Sequence, residues 1–185
     1  MPNYVSNEIR FAPLSKPAAT ALAKRLHLLS ASGELTNIDF ENYIPSPPHM
    51  YRGNITMEDE KDFPCNWHSW QSENWGTKWN AADRAASFEE VADQVQLVFE
   101  FTTAWNVPYP IISAINNLAN TPFTHSYFDE GENFWGVEEW GADPYEKREE
   151  QICVRSEARK NDTADLQGLR ELFGYGSRNE DPEFV

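Results

Sequence analysis

A chain of 185 residues with a formal net charge of -15 is long enough to bury a core without disulfide or metal staples. Its acidity disfavours direct contact with nucleic-acid phosphates or anionic lipid heads, because such contact needs Lys and Arg to release counterions. Forty per cent hydrophobic and 14% aromatic residues exclude a disordered chain, and no stretch approaches the ~18 apolar residues of a membrane span.

The opening Met1-Pro2-Asn3-Tyr4 has neither a basic segment nor an apolar run, so a cytoplasmic protein is expected. Val5, Asn7, Ile9 and Phe11 alternate with Ser6, Glu8 and Arg10, the period of a half-buried first strand. Ser15 is placed as an N-cap with Pro17 in the first turn. Leu22, Leu26 and Leu29 then form one helical stripe that is expected to close near Gly33.

Residues 34–75 read as an insertion held by its aromatics, with Pro45-Ser46-Pro47-Pro48 and Glu58-Asp59-Glu60 marking loop and Ile38, Phe40, Tyr43 and Ile44 a short strand. Val95, Leu97, Phe99 and Phe101 give the clearest strand, and residues from Trp79 to Ser87 are expected to pair with it as a hairpin. Pro110 opens a helix through Ile111, Ile112, Ile115 and Leu118. Phe123 to Phe128 forms a further strand, Gly131 a turn, and Phe134 to Val137 a possible return.

The order β-α-(insertion)-β-β-α-β predicts an α+β, ferredoxin-like split βαβ fold, two helices covering one face of a four-stranded antiparallel sheet. The domain spans residues 1–140. Residues 141–185 form an acidic extension with a short helix through Leu166, Leu169, Leu172 and Phe173.

Four of the seven tryptophans fall between Trp67 and Trp79, a density that implies a satellite core or a recognition surface. Trp75-Gly76-Thr77-Lys78-Trp79-Asn80 is the best candidate site, with Trp105 bordering it. Gly76 permits close backbone approach, Lys78 and Asn80 offer directional contacts, and the indoles offer stacking faces. The same residues fit a structural account, in which Gly76 turns the chain and Lys78 lies along the indoles over a packed cluster.

Residues 129–150 carry nine acids against Lys147 and Arg148, with aromatics interspersed. Trp135, Glu138, Glu139, Trp140, Glu149 and Glu150 therefore read as a protein-interface patch, anchors inside a charged rim. A flexible acidic loop whose aromatics fold back on the body fits equally. His125, Tyr127 and Asp129 share one strand face, expected to be the solvated side of the sheet.

Cys65-Asn66-Trp67-His68 has half the spacing of a zinc site, but His49, His125 and Cys153 supply no second close pair, so no metal is expected. Two distant cysteines suit a reducing compartment. No glycine elbow, phosphate loop or placed carboxylate pair supports catalysis, and neither a catalytic residue nor a cofactor is assigned.

Pro2 to Asn7, the block Asn74 to Ala81, Phe99 to Trp105 with Pro108 and Pro110, and Phe128 to Gly136 together resemble the YubB-like family of plasmids and phages. The resemblance covers residues 1–140 and implies a ferredoxin-like fold and carriage on mobile elements. It transfers no catalytic set. The expectation is a non-enzymatic accessory protein that binds a basic or nucleic-acid-handling protein, inhibiting a host defence such as CRISPR or restriction through its acidic aromatic surface. The alternative is a small-ligand or nucleotide-binding module built on Trp75 to Asn80.

Overall fold

The computed structural model describes residues 3–56, 59–141, 150–154 and 164–175. They form a mixed α+β fold, an open antiparallel sheet with four helices. The alternation predicted for the first strand is realised in β1 (Tyr4–Phe11), where Val5, Ile9 and Phe11 are fully buried. Being apolar on one face and bordered on both edges, β1 lies in the middle of the sheet between β3 (Gln94–Ala104) and β4 (Phe123–Asp129). Outside β3 runs β2 (Ala82–Val91), and outside β4 runs β5 (Phe134–Trp140). A short sixth strand, β6 (Glu150–Val154), borders β5, so the order is β2-β3-β1-β4-β5-β6.

The sheet is thus wider than the four strands expected. The cause is the turn after β4: Asp129 accepts from Glu132 N through its carbonyl at 2.8 Å and from Asn133 N through Oδ2 at 3.1 Å. That reversal sends β5 back along β4 in full register, from Phe123 opposite Trp140 to Phe128 opposite Trp135.

Two helices cover one face. Leu22 and Ala23 of α1 (Lys16–Arg25) and Ile111, Ile112 and Ile115 of α3 (Tyr109–Ala119) pack on Ile9, Phe11, Leu97, Phe99, Phe101, Phe123 and Trp140. Each such buried side chain contributes about 1.5–3 kcal/mol of transfer free energy. Arg25 Nη1 donates to Ala119 O at 3.0 Å, tying the two helix ends together.

The first helix stops at Arg25, well short of Gly33. His27 takes a left-handed φ of 56°, Leu28 N bonds Ala23 O at 2.8 Å and His27 N bonds Lys24 O at 3.2 Å. This is a Schellman closure, and it turns Leu28 into the core. Ser15 holds the N-cap position but makes no side-chain cap bond.

The insertion contains no strand at Ile38 to Ile44. The Asp39 carboxylate accepts from Glu41 N and caps a 3-10 turn over Phe40–Asn42. Ile38, Phe40 and Trp75 join the main core, so the insertion is part of the domain's interior. A second 3-10 turn follows at Asp59–Lys61, and the insertion's helix, α2 (Trp67–Asn74), opens on Asn66, whose side-chain oxygen accepts from Ser69 N at 3.0 Å.

On the opposite face, Arg10 bonds Glu8 and Glu89 across three strands. Further along that face lies α4 (Ala164–Leu172), the helix anticipated in the extension. Its Leu169, with Phe173, packs on Phe128 and Trp135. Arg170 pairs with Glu132 at 3.2 Å and the Tyr175 ring lies 4.9 Å from Phe128, so the segment returns to the sheet. No helix among the described residues is long and apolar enough to cross a membrane.

Candidate functional site: a pocket beside the tryptophan cluster

The tryptophan motif divides residue by residue. Trp75 turns inward and is 1% exposed; its Nε1 donates to Ile44 O at 2.8 Å and its ring meets Phe40 and Trp70 edge-on. A buried indole with its N–H satisfied is core, so Trp75 is not the stacking partner of Trp79 and Trp105 that the motif suggested. Asn80 is likewise internal in its chemistry. Its Oδ1 accepts from Phe40 N and Ala81 N and its Nδ2 donates to Asp39, which pins the insertion.

Thr77 joins the motif to the sheet. Its Oγ1 donates to Ala104 O at 2.9 Å and accepts from Ala104 N at 3.0 Å. This two-way bond brings the motif against the loop from Trp105 to Pro108. Gly76 then sits where a Cβ would lie 2.9 Å from Pro110 Cδ, with φ +78°. Both the contact and the left-handed backbone require glycine.

Lys78 and Trp79 face outward. The Lys78 ammonium lies 4.7 Å from the Trp105 ring centroid, 5.6 Å from Trp79 and 6.0 Å from Trp67, within cation–π reach. Trp105 is 43% exposed and holds φ 67°, with its N–H bonded to Asn3 O at 2.9 Å. A bulky residue in the left-handed region is strained and marks a place the surrounding structure over-determines. Of the expected group, Lys78, Trp79 and Trp105 are together at the surface.

A pocket of about 390 Å³ opens beside this cluster, lined by Gly76, Asn106, Val107, Tyr109, Pro110, Tyr127 and Phe134. Its volume lies in the range of small-molecule sites. The motif reaches it through Gly76, two residues before Lys78, and the loop through Asn106, next to Trp105.

Behind the two tyrosines runs a buried polar chain. The Tyr109 hydroxyl donates to Glu138 Oε1 at 2.6 Å, and the Tyr127 hydroxyl lies 3.4 Å from that of Tyr109. Glu138 Oε2 accepts from Trp140 Nε1 at 3.2 Å and faces His125 Nδ1 at 3.5 Å, an ion-pair distance longer than a well-formed hydrogen bond. The far ring nitrogen, His125 Nε2, meets Asn7 Oδ1 at 3.1 Å. Asn7 uses its amide nitrogen to donate to Val5 O and Thr103 Oγ1, so Nε2 is the donor in the His125 contact.

Burial pushes the Glu138 carboxyl up, but the neighbouring His125 ring and the bonds from Tyr109 and Trp140 outweigh it and hold the group below its ordinary value. Burial and the bond to Glu138 push the Tyr109 hydroxyl far up, so it stays protonated.

This chain corrects two expectations. The face of His125, Tyr127 and Asp129 is the helix-covered side of the sheet, with all three residues buried. The interface patch is also dismantled: Glu138 and Trp140 face the helix side, Trp135 lies under α4, and all three are buried. Strand alternation forces this, since β5 turns Glu138 and Trp140 to the helix-covered face and Trp135 to the face that α4 covers there. Glu139 is exposed. Glu150 contributes its backbone to β6, paired with Glu138, and Glu149 lies outside the described residues.

Tyr109, Pro110, Tyr127 and Phe134 were missed as pocket residues. A usable signal was present in Asn7 and Glu138, polar residues in phase with apolar neighbours on their strands. Cys65 and His68 belong to no group of three or more metal-ligating side chains among the described residues. His68 contacts Trp67 edge-on and Glu60 at 3.8 Å.

Comparison of the chain with protein-family models, with curated proteins and with solved structures finds no match in any of the three.

Proposed function

We propose that this protein is a non-enzymatic small-ligand-binding module. The observation that carries the reading is the pocket of about 390 Å³ walled by Val107, Tyr109, Pro110, Tyr127 and Phe134 and reached by the tryptophan motif through Gly76. An apolar wall with few polar groups is how proteins hold small molecules. The outward-facing Lys78, Trp79 and Trp105 add a cationic, aromatic rim, suited to a planar ligand with a negative group.

With the insertion and its α2 set aside, the element order β1-α1-β2-β3-α3-β4 and the strand order β2-β3-β1-β4 within the wider sheet support reading the domain as ferredoxin-like. Together with the sequence blocks, they support a YubB-like accessory protein of a mobile element as its setting. Capture of a basic partner through the acidic segment has less behind it, because Trp135, Glu138 and Trp140 lie inside the fold.

The test is a thermal-shift screen of planar metabolites, nucleobases and nucleotides included, on the wild type and on Asn106→Trp. Asn106 is exposed at the pocket's edge, so the indole fills the mouth with little effect on the core. Ligands that raise the wild-type melting temperature are expected to lose that effect on Asn106→Trp. Absence of any hit, or hits indifferent to the substitution, rejects the pocket as the site.

A further inference from the structure

Seven residues line the pocket, and two of them, Tyr109 and Tyr127, place hydroxyls next to one another between the cavity and the buried carboxylate of Glu138. A phenol has one proton to give. At 2.6 Å the Glu138 carboxylate takes the proton of Tyr109, whereas the 3.4 Å separation from Tyr127 is longer than a hydroxyl–hydroxyl bond. Redirecting the Tyr109 proton would strip a fully buried carboxylate of a donor, which costs the desolvation penalty of that group. Glu138 cannot swing to follow, because Trp140 Nε1 and His125 hold its other oxygen and Asn7 holds His125 in turn.

The orientation of the Tyr109 hydroxyl is therefore set from behind, and what remains on its oxygen is acceptor capacity. From this lock, which rests on the pocket being the binding site, we infer that the pocket selects a planar, largely apolar ligand carrying an N–H or O–H donor, which bonds Tyr109 Oη. The planar body follows from the aromatic faces of Tyr109, Tyr127 and Phe134 and the flat flank of Pro110. Tyr109 is on this account a specificity-determining residue, and Glu138 and His125 are positioning residues acting through it.

The probes are indole, 1-methylindole and benzothiophene, bicyclic molecules of closely similar shape of which only indole carries an N–H. Each is titrated into the full chain by chemical-shift perturbation, for the wild type and for Tyr109→Phe. Indole is expected to bind the wild type about three- to tenfold more tightly than the other two, the worth of one hydrogen bond. In Tyr109→Phe that preference is expected to vanish, with indole and benzothiophene binding about equally. Equal binding of indole and benzothiophene to the wild type overturns the donor rule and leaves the pocket reading intact, as does a preference that survives Tyr109→Phe. Failure of all three probes to bind the wild type rejects the rule together with the pocket reading.

Discussion

The two faces of the strand pair β4–β5 treat the same kinds of residue in opposite ways. On the helix side, Glu138 is fully enclosed and bonded by Tyr109 and Trp140; on the other side its neighbour Glu139 is exposed. Trp140 stacks on Phe123 at 5.7 Å beneath α3, whereas Trp135 packs on Phe128 beneath α4. The helix-side face accepts a charge because a complete set of donors surrounds it. The α4 side is mostly apolar where α4 covers it, and further along the same face Arg10 pairs with Glu8 and Glu89. A buried charge is tolerated when its partners are pre-placed, and is then costly to disturb.

The largest expected effect comes from breaking that set. Glu138→Ala removes the carboxylate that accepts from the Tyr109 hydroxyl and the Trp140 N–H and that faces His125, and should destabilise the fold by about 3–5 kcal/mol. Glu139→Ala, one residue along and solvent-facing, should stay within about 0.5 kcal/mol. Urea midpoints of the two variants measure the contrast directly. Equal shifts would mean that the buried chain does not distinguish the faces.

A gentler way to sharpen the contrast is pH. The folded-state carboxyl of Glu138 lies below its ordinary value of 4.5, so the unfolded chain takes up its proton first. The stability it contributes is therefore complete above about pH 4.5 and is lost as pH falls through the lower folded value. Glu138→Gln removes this group from the titration. The wild type should lose melting temperature more steeply than Glu138→Gln below that pH, and the two should run parallel above it. Parallel curves across the acid range would count against a stabilised carboxylate.

Period and turn chemistry made most of the sheet legible: the inward residues of β1, the Val95 to Phe101 strand, the helix opened by Pro110 and the short helix around Leu169 can all be read from the chain. The side each strand presents was harder to read. Nothing local tells whether His125, Tyr127 and Asp129 face helices or water, because that depends on pairing with β1 and β5, distant in sequence. Asn7 carried the missing information, since a strand otherwise buried through Val5, Ile9 and Phe11 can hold an amide only if something polar stands opposite. The pocket was illegible for a similar reason. Gly76 and Tyr109 meet through the Thr77 bond to Ala104, a tertiary contact with no sequence signature. The early stop of α1 was hidden because His27 adopts a conformation usually left to glycine or asparagine.

A small expected effect on stability, and the one that best separates rim from interior, belongs to Lys78. Its ammonium stands over Trp105, Trp79 and Trp67 at 4.7 to 6.0 Å, and such contacts at a partly exposed site contribute about 0.5–1 kcal/mol. Lys78→Ala should therefore lower stability by no more than about 1 kcal/mol, against the several kcal/mol of Glu138→Ala. For binding, the rim and the wall predict different losses. An anionic planar ligand found in the screen should lose about tenfold in affinity on Lys78→Ala at low salt, and less at raised salt, where the charge is already screened. A neutral planar ligand should be unaffected, because its contacts lie with the pocket wall and Tyr109. If the neutral ligand weakens as much as the anionic one, Lys78 acts by shaping the tryptophan cluster and the rim carries no charge selectivity. Calorimetric titrations of the two ligands against both proteins decide between these, with the urea midpoint of Lys78→Ala as the control for folding.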